Sequence, residues 1–492
     1  MNIRKSGILL HPTSLPGSHG IGDLGNKAYR FIDSLLEMKQ SIWQILPLGP
    51  TDIYNSPYSP ISTFAGNHLL ISLDLLVEDG LIDAKIIKNK SINSNKINFK
   101  EVIEFKMFIL EQVAANFNFK ATNQMKNSFK NFCIENSYWL DDYAEYWGLR
   151  KVNKMKAWIN WDITSLHDLS ILNEAKIIQY IFHKQWYNLR NYCKQKHIQI
   201  IGDMPIYVGY ESSDVYSNRQ LFQLNQDGHM IFQSGCPPCK FQKNGQLWGN
   251  PIYAWEKHKK TNFKWWTQRF KKLFEMVDII RLDHFIGYDR YYRIPVKDKT
   301  AINGEWVEAI GKELFRSLME NDFDFNVIVE DLGEITDSVI NLKNVNNFPG
   351  IRVLQFDLEQ IPKLKEFSYN SIVYTGTHDN NTLIGWFQSL PKHSNKMNEL
   401  SQKKLLEYFD CDNNEFTWEI INFILATNSK VTIFPLQDIL EKKSSCRFNT
   451  PGSISSNNWS WMMDEKEVTP VIKNKLARLT FNNNRVFKIE YT

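Results

Sequence analysis

The sequence predicts an α/β protein built on a (β/α)8 TIM barrel, with largely helical subdomains inserted at the C-terminal mouth of the barrel. Short, continuous apolar runs rich in β-branched residues recur along the chain, and helical patterns lie between several of them. A carboxylate closes or closely follows three of these segments: Asp283, Glu330 and Asp379. We therefore expect all three acids at the carboxyl ends of barrel strands, where this fold places its chemistry.

Eight apolar runs are candidate barrel strands, because they are continuous rather than alternating, as expected for parallel strands covered on both faces. They are residues 7–11, 42–47, 197–203, 277–283, 326–331, 352–357, 371–375 and 431–436. Helices are predicted over residues 27–38 and 306–319, after the first and the fourth strand. Residues 68–74 also have a strand pattern, which we assign to an insertion.

The spacing of the strands predicts one large domain, residues 1–492, with two insertions. Far more residues separate the second and third strands than one βα unit needs, and helical patterns dominate residues 103–193. We predict an inserted helical subdomain over residues 50–195. A second insertion, residues 204–275, lies between the third and fourth strands and is rich in Gly, Pro and aromatic residues. Both are expected at the mouth of the barrel.

Composition excludes several classes of function. Hydrophobic residues make up 43% and charged residues 23%, as in a soluble globular protein. The net charge is only +4 and basic residues are scattered, so we expect no nucleic-acid partner. No stretch has the length of a secretory signal core or the ~18 apolar residues of a membrane span. Six cysteines in so long a chain predict no disulfide framework and a cytoplasmic location. We expect a monomer or a weak homo-oligomer.

One cysteine pair, Cys236-Pro-Pro-Cys239, has the spacing of half a zinc site or of a redox pair. The sequence has no second cysteine pair of matching spacing, and His229 lies outside the usual ligand patterns. Two consecutive prolines also stiffen this segment. An unpaired dithiol in a loop is the favoured interpretation, so we predict no metal and no cofactor.

The neighbours of the three acids predict different chemical roles. Arg281 and Asp283 lie on the same side of a strand, and a guanidinium favours the ionised form of a carboxylate, which suits a nucleophile. Glu330 follows Val-Ile-Val, whose apolar surroundings raise a carboxyl pKa and suit a general acid. Asp379 follows His378, a pair that can grip vicinal sugar hydroxyls. Each acid alone could cap a helix, but together they favour cleavage of a glycoside.

Further motifs follow one another in order along nearly the whole chain. They are His11-Pro-Thr-Ser-Leu-Pro-Gly, Gly20-Ile-Gly-Asp-Leu-Gly, Trp43-Gln-Ile-Leu-Pro-Leu-Gly-Pro, Ser56-Pro-Tyr-Ser-Pro, Gly245-Gln-Leu-Trp-Gly-Asn-Pro, Arg281-Leu-Asp-His-Phe, Glu330-Asp-Leu-Gly, Gly376-Thr-His-Asp-Asn and Asn449-Thr-Pro-Gly. This ordered set resembles the 4-α-glucanotransferases, also called amylomaltases or disproportionating enzymes, of the α-amylase clan. Asp203 is followed by Met-Pro-Ile-Tyr rather than the Asn-His of typical amylases, which favours the glucanotransferase branch.

The resemblance implies transfer of α-1,4-glucan segments from a donor maltooligosaccharide to the 4-hydroxyl of an acceptor glucan or glucose, with retention at the anomeric carbon. It implies that Asp283 is the nucleophile, Glu330 the general acid/base and Asp379 the residue that stabilises the transition state. It implies substrate-binding roles for Tyr58, Ser56, Asp203, Trp248, Asn250, Arg281, His378 and Asn449. Trp248 and Asn250 are expected in a loop over the glucan.

Two other functions stay open at this point. A hydrolase of the same clan uses the same acids and differs only in accepting water rather than a sugar in the second step. The carboxylates are the same in both cases, so the choice depends on the aromatic residues at the mouth, which position an acceptor sugar and exclude water. A non-catalytic glucan-binding protein on the same barrel is the third reading; it requires a missing acid, and all three acids are present.

Overall fold

The computed structural model of the chain describes residues 4–88, 95–238, 242–320, 325–358, 367–394 and 399–486. The strands in these ranges form a closed barrel and a separate four-stranded sheet. In chain order they are β1 (Lys5–Leu9), β2 (Ile42–Gln44), β3 (Gln199–Met204), β4 (Phe232–Cys236), β5 (Gln246–Pro251), β6 (Ile279–Leu282), β7 (Arg290–Pro295), β8 (Glu305–Glu308), β9 (Val327–Val329), β10 (Gly350–Val353), β11 (Ser371–Tyr374) and β12 (Val431–Pro435).

The barrel closes in the order β1-β12-β11-β10-β9-β6-β3-β2, and its neighbouring strands pair in parallel. Every residue of β6, β9, β11 and β12 is buried, as the continuous apolar runs predicted. The predicted (β/α)8 barrel is confirmed. Because all the strands run the same way, the segments that leave their carboxyl ends emerge on one side of the barrel.

The helices have apolar faces at helical spacing; α1, for example, buries Ala28, Phe31, Ile32 and Leu35. In chain order the described helices are α1 (Asn26–Glu37), α2 (Leu73–Glu78), α3 (Ala84–Lys88), α4 (Phe99–Lys120), α5 (Asn123–Glu135), α6 (Ser137–Val152), α7 (Ser170–Gln195), α8 (Ser213–Ser217), α9 (Trp255–Lys260), α10 (Lys264–Met276), α11 (Ile286–Asp289), α12 (Gly311–Met319), α13 (Asp337–Val345), α14 (Leu354–Asp357), α15 (Leu383–Ser389), α16 (Gln402–Phe409), α17 (Phe416–Ala426), α18 (Leu436–Ile439) and α19 (Pro470–Asn482). Within the described ranges, no helix is both long and apolar enough to cross a membrane.

Three predicted elements are wrong in part. The predicted strand 352–357 is a strand only to Val353 and continues as α14. The predicted helix 306–319 begins with β8, and α12 starts only at Gly311. The predicted strand 68–74 is a 3-10 helix over His68–Leu70 followed by α2. Short apolar runs have the same pattern in a strand and in a buried helix, so only pairing with a neighbouring strand decides between them.

The four-stranded sheet takes its strands from two segments of the chain. Its order is β5-β4-β7-β8, and all its pairings are antiparallel. Strands β4 and β5 lie between β3 and β6, whereas β7 and β8 follow β6. The sheet therefore extends beyond the predicted insertion 204–275.

The long helices α4–α7 between β2 and β3 share one continuous hydrophobic core with the barrel, which fixes both against each other.

Candidate active site

A cleft of about 930 Å³ is lined by the three predicted catalytic acids, Asp283, Glu330 and Asp379. Asp283 directly follows β6, Glu330 directly follows β9, and Asp379 lies in the segment after β11. The volume is near the upper end of the range for small-molecule sites, roughly 300–1,000 Å³. Five of the predicted substrate-binding residues also line the cleft: Ser56, Tyr58, Trp248, Asn250 and Asn449.

Arg281, in strand β6, joins three carboxylates beneath the cleft. Its Nη1 donates to Asp203 Oδ1 at 2.8 Å, to Asp203 Oδ2 at 2.7 Å and to Asp283 Oδ1 at 2.9 Å. Its Nη2 lies 3.3 Å from Glu330 Oε1. Burial lowers the pKa of the Arg281 guanidinium, but the charges of Asp203, Glu330 and Asp283 outweigh burial and raise it well above the usual value. The site is thus organised around a permanently charged, buried cation.

Asp203 and Tyr58 form a second layer of this network. The Tyr58 hydroxyl donates to Asp203 Oδ2 at 2.7 Å and lies 3.3 Å from His378 Nδ1. Burial raises the pKa of Asp203, while the Arg281 charge and the Tyr58 hydrogen bond oppose that rise. Burial and the Asp203 charge also raise the pKa of Tyr58 well above its usual value, so its hydroxyl stays a donor. Asp203, Arg281 and His378 are nearly fully buried and support the residues that line the cleft.

Glu330 is held beside Asp283 by the backbone of the segment after β6. The His284 N–H donates to Glu330 Oε2 at 2.7 Å, and the Phe285 N–H donates to the Glu330 carbonyl at 3.1 Å. Burial raises the pKa of Glu330 well above its usual value, and the Asp283 charge adds to the rise, whereas Arg281 and the His284 N–H oppose it. A carboxyl with this pKa keeps its proton at a higher pH than an exposed one, as a general acid requires.

Asp379 differs from Glu330 because its neighbours favour the ionised carboxylate. Asn449 Nδ2 donates to its Oδ1 at 2.7 Å, and His378 Nε2 lies 3.4 Å from its Oδ2. Arg447 Nη2 donates to its backbone carbonyl at 2.8 Å. Burial raises the pKa of Asp379, but His378, Asn449 and Arg281 together lower it to about 2. Asp379 therefore presents a negative charge to the cleft at all ordinary pH values.

Trp248 and Asn250 lie on strand β5 rather than in the loop predicted for them. The Trp248 ring packs edge to face on His284, with 4.9 Å between ring centroids. Asn250 Nδ2 donates to the Val208 carbonyl at 3.0 Å, which ties β5 to the segment after β3. Gly249 between them lines the cleft and has a φ of 72°, a backbone conformation that L side chains rarely adopt.

Comparison with known proteins gives consistent matches. A family profile for 4-alpha-glucanotransferase matches residues 10–467. A 4-alpha-glucanotransferase of Synechocystis sp. is 39% identical over 97% of this chain and 97% of its own length. One of Streptococcus pneumoniae is 37% identical over 99% of this chain and 98% of its own length. The chain belongs to the 4-alpha-glucanotransferase family.

A solved structure agrees with this membership. The structure of an amylomaltase from Streptococcus agalactiae in complex with acarbose matches with a TM-score of 0.93 and 34% identity, over 98% of this chain and 100% of that chain. The resemblance stated from the sequence motifs is therefore confirmed, together with the enzyme class. As a 4-alpha-glucanotransferase family member, the protein acts on α-1,4-glucans.

Sequence reasoning missed four residues in or next to the cleft. His284, Tyr207 and Trp459 line the cleft, and Arg447 holds the backbone of Asp379. His284 could have been predicted, because it directly follows Asp283. No sequence pattern indicated Trp459, which lies far along the chain from Tyr58, although the two ring centroids are 5.9 Å apart.

The described residues contain no group of three or more His, Cys, Asp or Glu side chains arranged to hold a metal ion. Cys236 ends strand β4. Cys239 lies outside the described residues, so the predicted dithiol stays a prediction.

Proposed function

We propose that this enzyme transfers α-1,4-glucan segments between maltooligosaccharides by a retaining double displacement, with Asp283 as nucleophile and Glu330 as general acid/base. The observation that carries the proposal is the arrangement around Arg281. Asp283 and Glu330 lie on the two terminal nitrogens, Nη1 and Nη2, of one guanidinium, and burial raises the pKa of Glu330 well above its usual value. A carboxylate thus stands beside a carboxyl whose raised pKa favours its protonated form, which is the pair that this mechanism needs.

In the first step, an Asp283 oxygen attacks the anomeric carbon of the donor sugar. Glu330 gives its proton to the glycosidic oxygen, which leaves with the electron pair of the broken bond. The product is a glycosyl ester on Asp283, inverted at the anomeric carbon. The positive charge that develops on the sugar ring is stabilised by the ionised Asp379, which Asn449 and His378 hold in place.

In the second step, the ionised Glu330 takes the proton of the 4-hydroxyl of an acceptor glucan or glucose. The acceptor oxygen attacks the anomeric carbon and displaces Asp283, and this second inversion restores the original configuration. A direct displacement of this kind predicts carboxyl groups roughly 5–5.5 Å apart, since no water has to fit between nucleophile and sugar.

The remaining site residues are proposed to shape the two sides of the cleft. Tyr58, Asp203, Arg281 and His378 support the donor sugar from below, which their burial and mutual contacts favour. Trp248, Asn250 and Ser56 contact the glucan along the cleft, whose lining includes all three. We also propose residues 50–195 and 204–275 as the insertions that build its walls. No metal or cofactor is assigned a role.

Incubation of the purified protein with maltotriose tests the proposal. Transfer predicts glucose together with a ladder of longer maltooligosaccharides, with almost no rise in total reducing ends, because each glycosidic bond that breaks is remade. A steady rise in reducing ends without longer products would instead assign the protein to the hydrolases. Asp283→Asn serves as the control, since neither pattern should appear without the nucleophile.

The cellular location and the oligomeric state are predictions from the sequence. We propose a cytoplasmic enzyme that is a monomer or a weak homo-oligomer. Light scattering coupled to size-exclusion chromatography measures the oligomeric state directly, and a stable assembly at micromolar concentration would contradict this proposal.

A further inference from the structure

Asp438 joins two neighbouring units of the barrel. It lies on α18, which directly follows β12, and its side chain is 1% exposed. Thr375 Oγ1 donates to Asp438 Oδ2 at 2.6 Å, and the Leu383 N–H donates to Asp438 Oδ1 at 2.7 Å. Thr375 directly follows β11, and Leu383 is the first residue of α15. One buried carboxylate therefore holds both ends of residues 376–382, here called the Asp379 loop.

The Asp379 loop carries His378 and Asp379 into the site. Inside the loop, the Thr377 N–H and hydroxyl both donate to Asn380 Oδ1 at 2.8 Å. Arg447 and Asn449 hold the tip of the loop through the carbonyl and the carboxylate of Asp379. The base of the loop is held by Asp438. Small shifts at the base move the tip, because the segment between the two anchors is only a few residues long.

Burial disfavours the charged form of Asp438. Burial raises its pKa to about 6, and the bonds from Thr375 and Leu383 only limit the rise. Among the described residues, burial and these two hydrogen bonds account for the pKa shift of Asp438. The charged residues nearest in sequence, Glu441 and Lys442, do not contribute to it. A buried carboxylate without a charged partner destabilises the fold relative to a neutral side chain of the same shape. A residue that costs stability in this way is typical of a functional role.

We propose that Asp438 is a positioning residue for the transfer reaction, which fixes the Asp379 loop so that Asp379 and His378 meet the donor sugar in the transition state. The inference rests on the proposed function, and in particular on the role of Asp379. Its chemical basis is that a carboxylate accepts two hydrogen bonds at once and strengthens both by its charge. An amide or a protonated carboxyl can still accept the Leu383 N–H. Its other polar atom carries hydrogen, however, so it has to donate to the Thr375 hydroxyl instead of accepting from it.

Asp438→Asn tests the proposal, because it keeps the shape and removes the charge. At pH 7 we expect kcat for maltotriose disproportionation to fall about tenfold and KM to change by less than about twofold, since the loss concerns the transition state. The Tm of the variant should equal or exceed that of the unmodified protein. Below pH 6 the kcat ratio of the two proteins should approach one, because Asp438 itself becomes protonated near its pKa of about 6.

Thr375→Val supplies a second, independent variant. It removes one of the two hydrogen bonds to Asp438 without changing the charge, and we expect a smaller fall in kcat than for Asp438→Asn. Thr375→Ser keeps the hydroxyl, so this variant should retain most of the kcat of the unmodified protein. Thr432→Val is the matched control: this barrel threonine is equally buried, and its hydroxyl has no hydrogen-bond partner among the described residues. The control should leave kcat unchanged.

Two results would overturn the proposal. One is a lower Tm of Asp438→Asn with an unchanged kcat per folded molecule, which indicates a purely structural residue. The other is a kcat ratio that is the same at pH 5 and at pH 8. If the unmodified protein hydrolyses maltotriose instead of disproportionating it, the proposed function fails. The role of Asp438 can then still be decided from the ratio of the two kcat values, variant to unmodified protein, measured for hydrolysis.

Discussion

Tyr58 and His378 stack face to face, with 4.7 Å between ring centroids and 17° between ring planes. The Tyr58 hydroxyl also donates to Asp203 at 2.7 Å. Both contacts lie beneath the donor side of the proposed site. These contacts favour a role for Tyr58 in holding the donor sugar and its supporting residues, rather than in seating the acceptor.

Tyr58→Phe separates the ring from the hydroxyl. The variant keeps the stack on His378 but leaves the buried Asp203 with one donor fewer, a loss of about 1–3 kcal/mol for such a group. We expect kcat to fall about tenfold or more, with the ratio of transfer to hydrolysis unchanged, because both reactions share the donor step. Chromatography of maltotriose products together with a reducing-end assay gives both rates. A shift of the products towards hydrolysis would instead indicate that Tyr58 seats the acceptor.

Trp248→Ala addresses the acceptor side. The Trp248 ring lines the cleft on β5 and packs against His284, where it can stack on a sugar face and fill space that water would otherwise occupy. We expect transfer to fall several-fold more than hydrolysis, with products shifted to glucose and short chains. Trp161→Ala, a tryptophan that does not line the cleft, is the control. Equal loss of both reactions with a lowered Tm would make the Trp248 ring a packing residue.

Asp283→Asn and Glu330→Gln should differ when the donor has a leaving group that needs no proton. On maltotriose both variants are expected to lose about 10²–10⁴-fold in kcat or more, since the proposed nucleophile and the proposed acid both act in the first step. On α-maltosyl fluoride, Glu330→Gln should regain cleavage and Asp283→Asn should not. Fluoride release measured with an ion-selective electrode decides the assignment, and the opposite pattern would exchange the two roles.

The raised pKa of Glu330 predicts a link between pH and stability. A carboxyl whose folded-state pKa is raised stabilises the fold fully below its unfolded pKa, and this contribution is lost as pH rises through the folded pKa. Glu330→Gln removes the effect because the amide does not ionise. The Tm of the variant minus that of the unmodified protein should therefore increase with pH, measured by calorimetry from pH 4 to pH 9. A difference independent of pH would contradict the raised pKa.

Activity is expected to survive exhaustive chelation. The three acids already have proposed roles in sugar chemistry, and the described residues offer no cluster of three or more metal-binding side chains. Dialysis against EDTA, followed by a maltotriose assay with and without added zinc or calcium, checks this expectation. Loss of activity that a metal restores would direct attention back to Cys236 and Cys239.

The strand-end acids were predictable from local sequence alone. Asp283 and Glu330 directly follow buried strands, and parallel strands necessarily bring their carboxyl ends together. The raised pKa of Glu330 was predicted from the apolar residues before it, and its main cause is indeed burial. Local patterns failed at residues 352–357 and 306–319, where a strand and a helix adjoin and a single apolar run covers parts of both.

The sequence by itself determined the barrel and the family, and it pointed to the three candidate acids, because these depend on local apolar runs and on motifs of a few residues. Only the tertiary structure decided which side chains meet. Arg281 reaches Glu330 because β6 and β9 are neighbours in the barrel. Asn449 and Asp438 reach the Asp379 loop because β12 lies beside β11. Contacts between distant segments follow from strand order and loop packing, which the periodicity of a single chain segment does not encode.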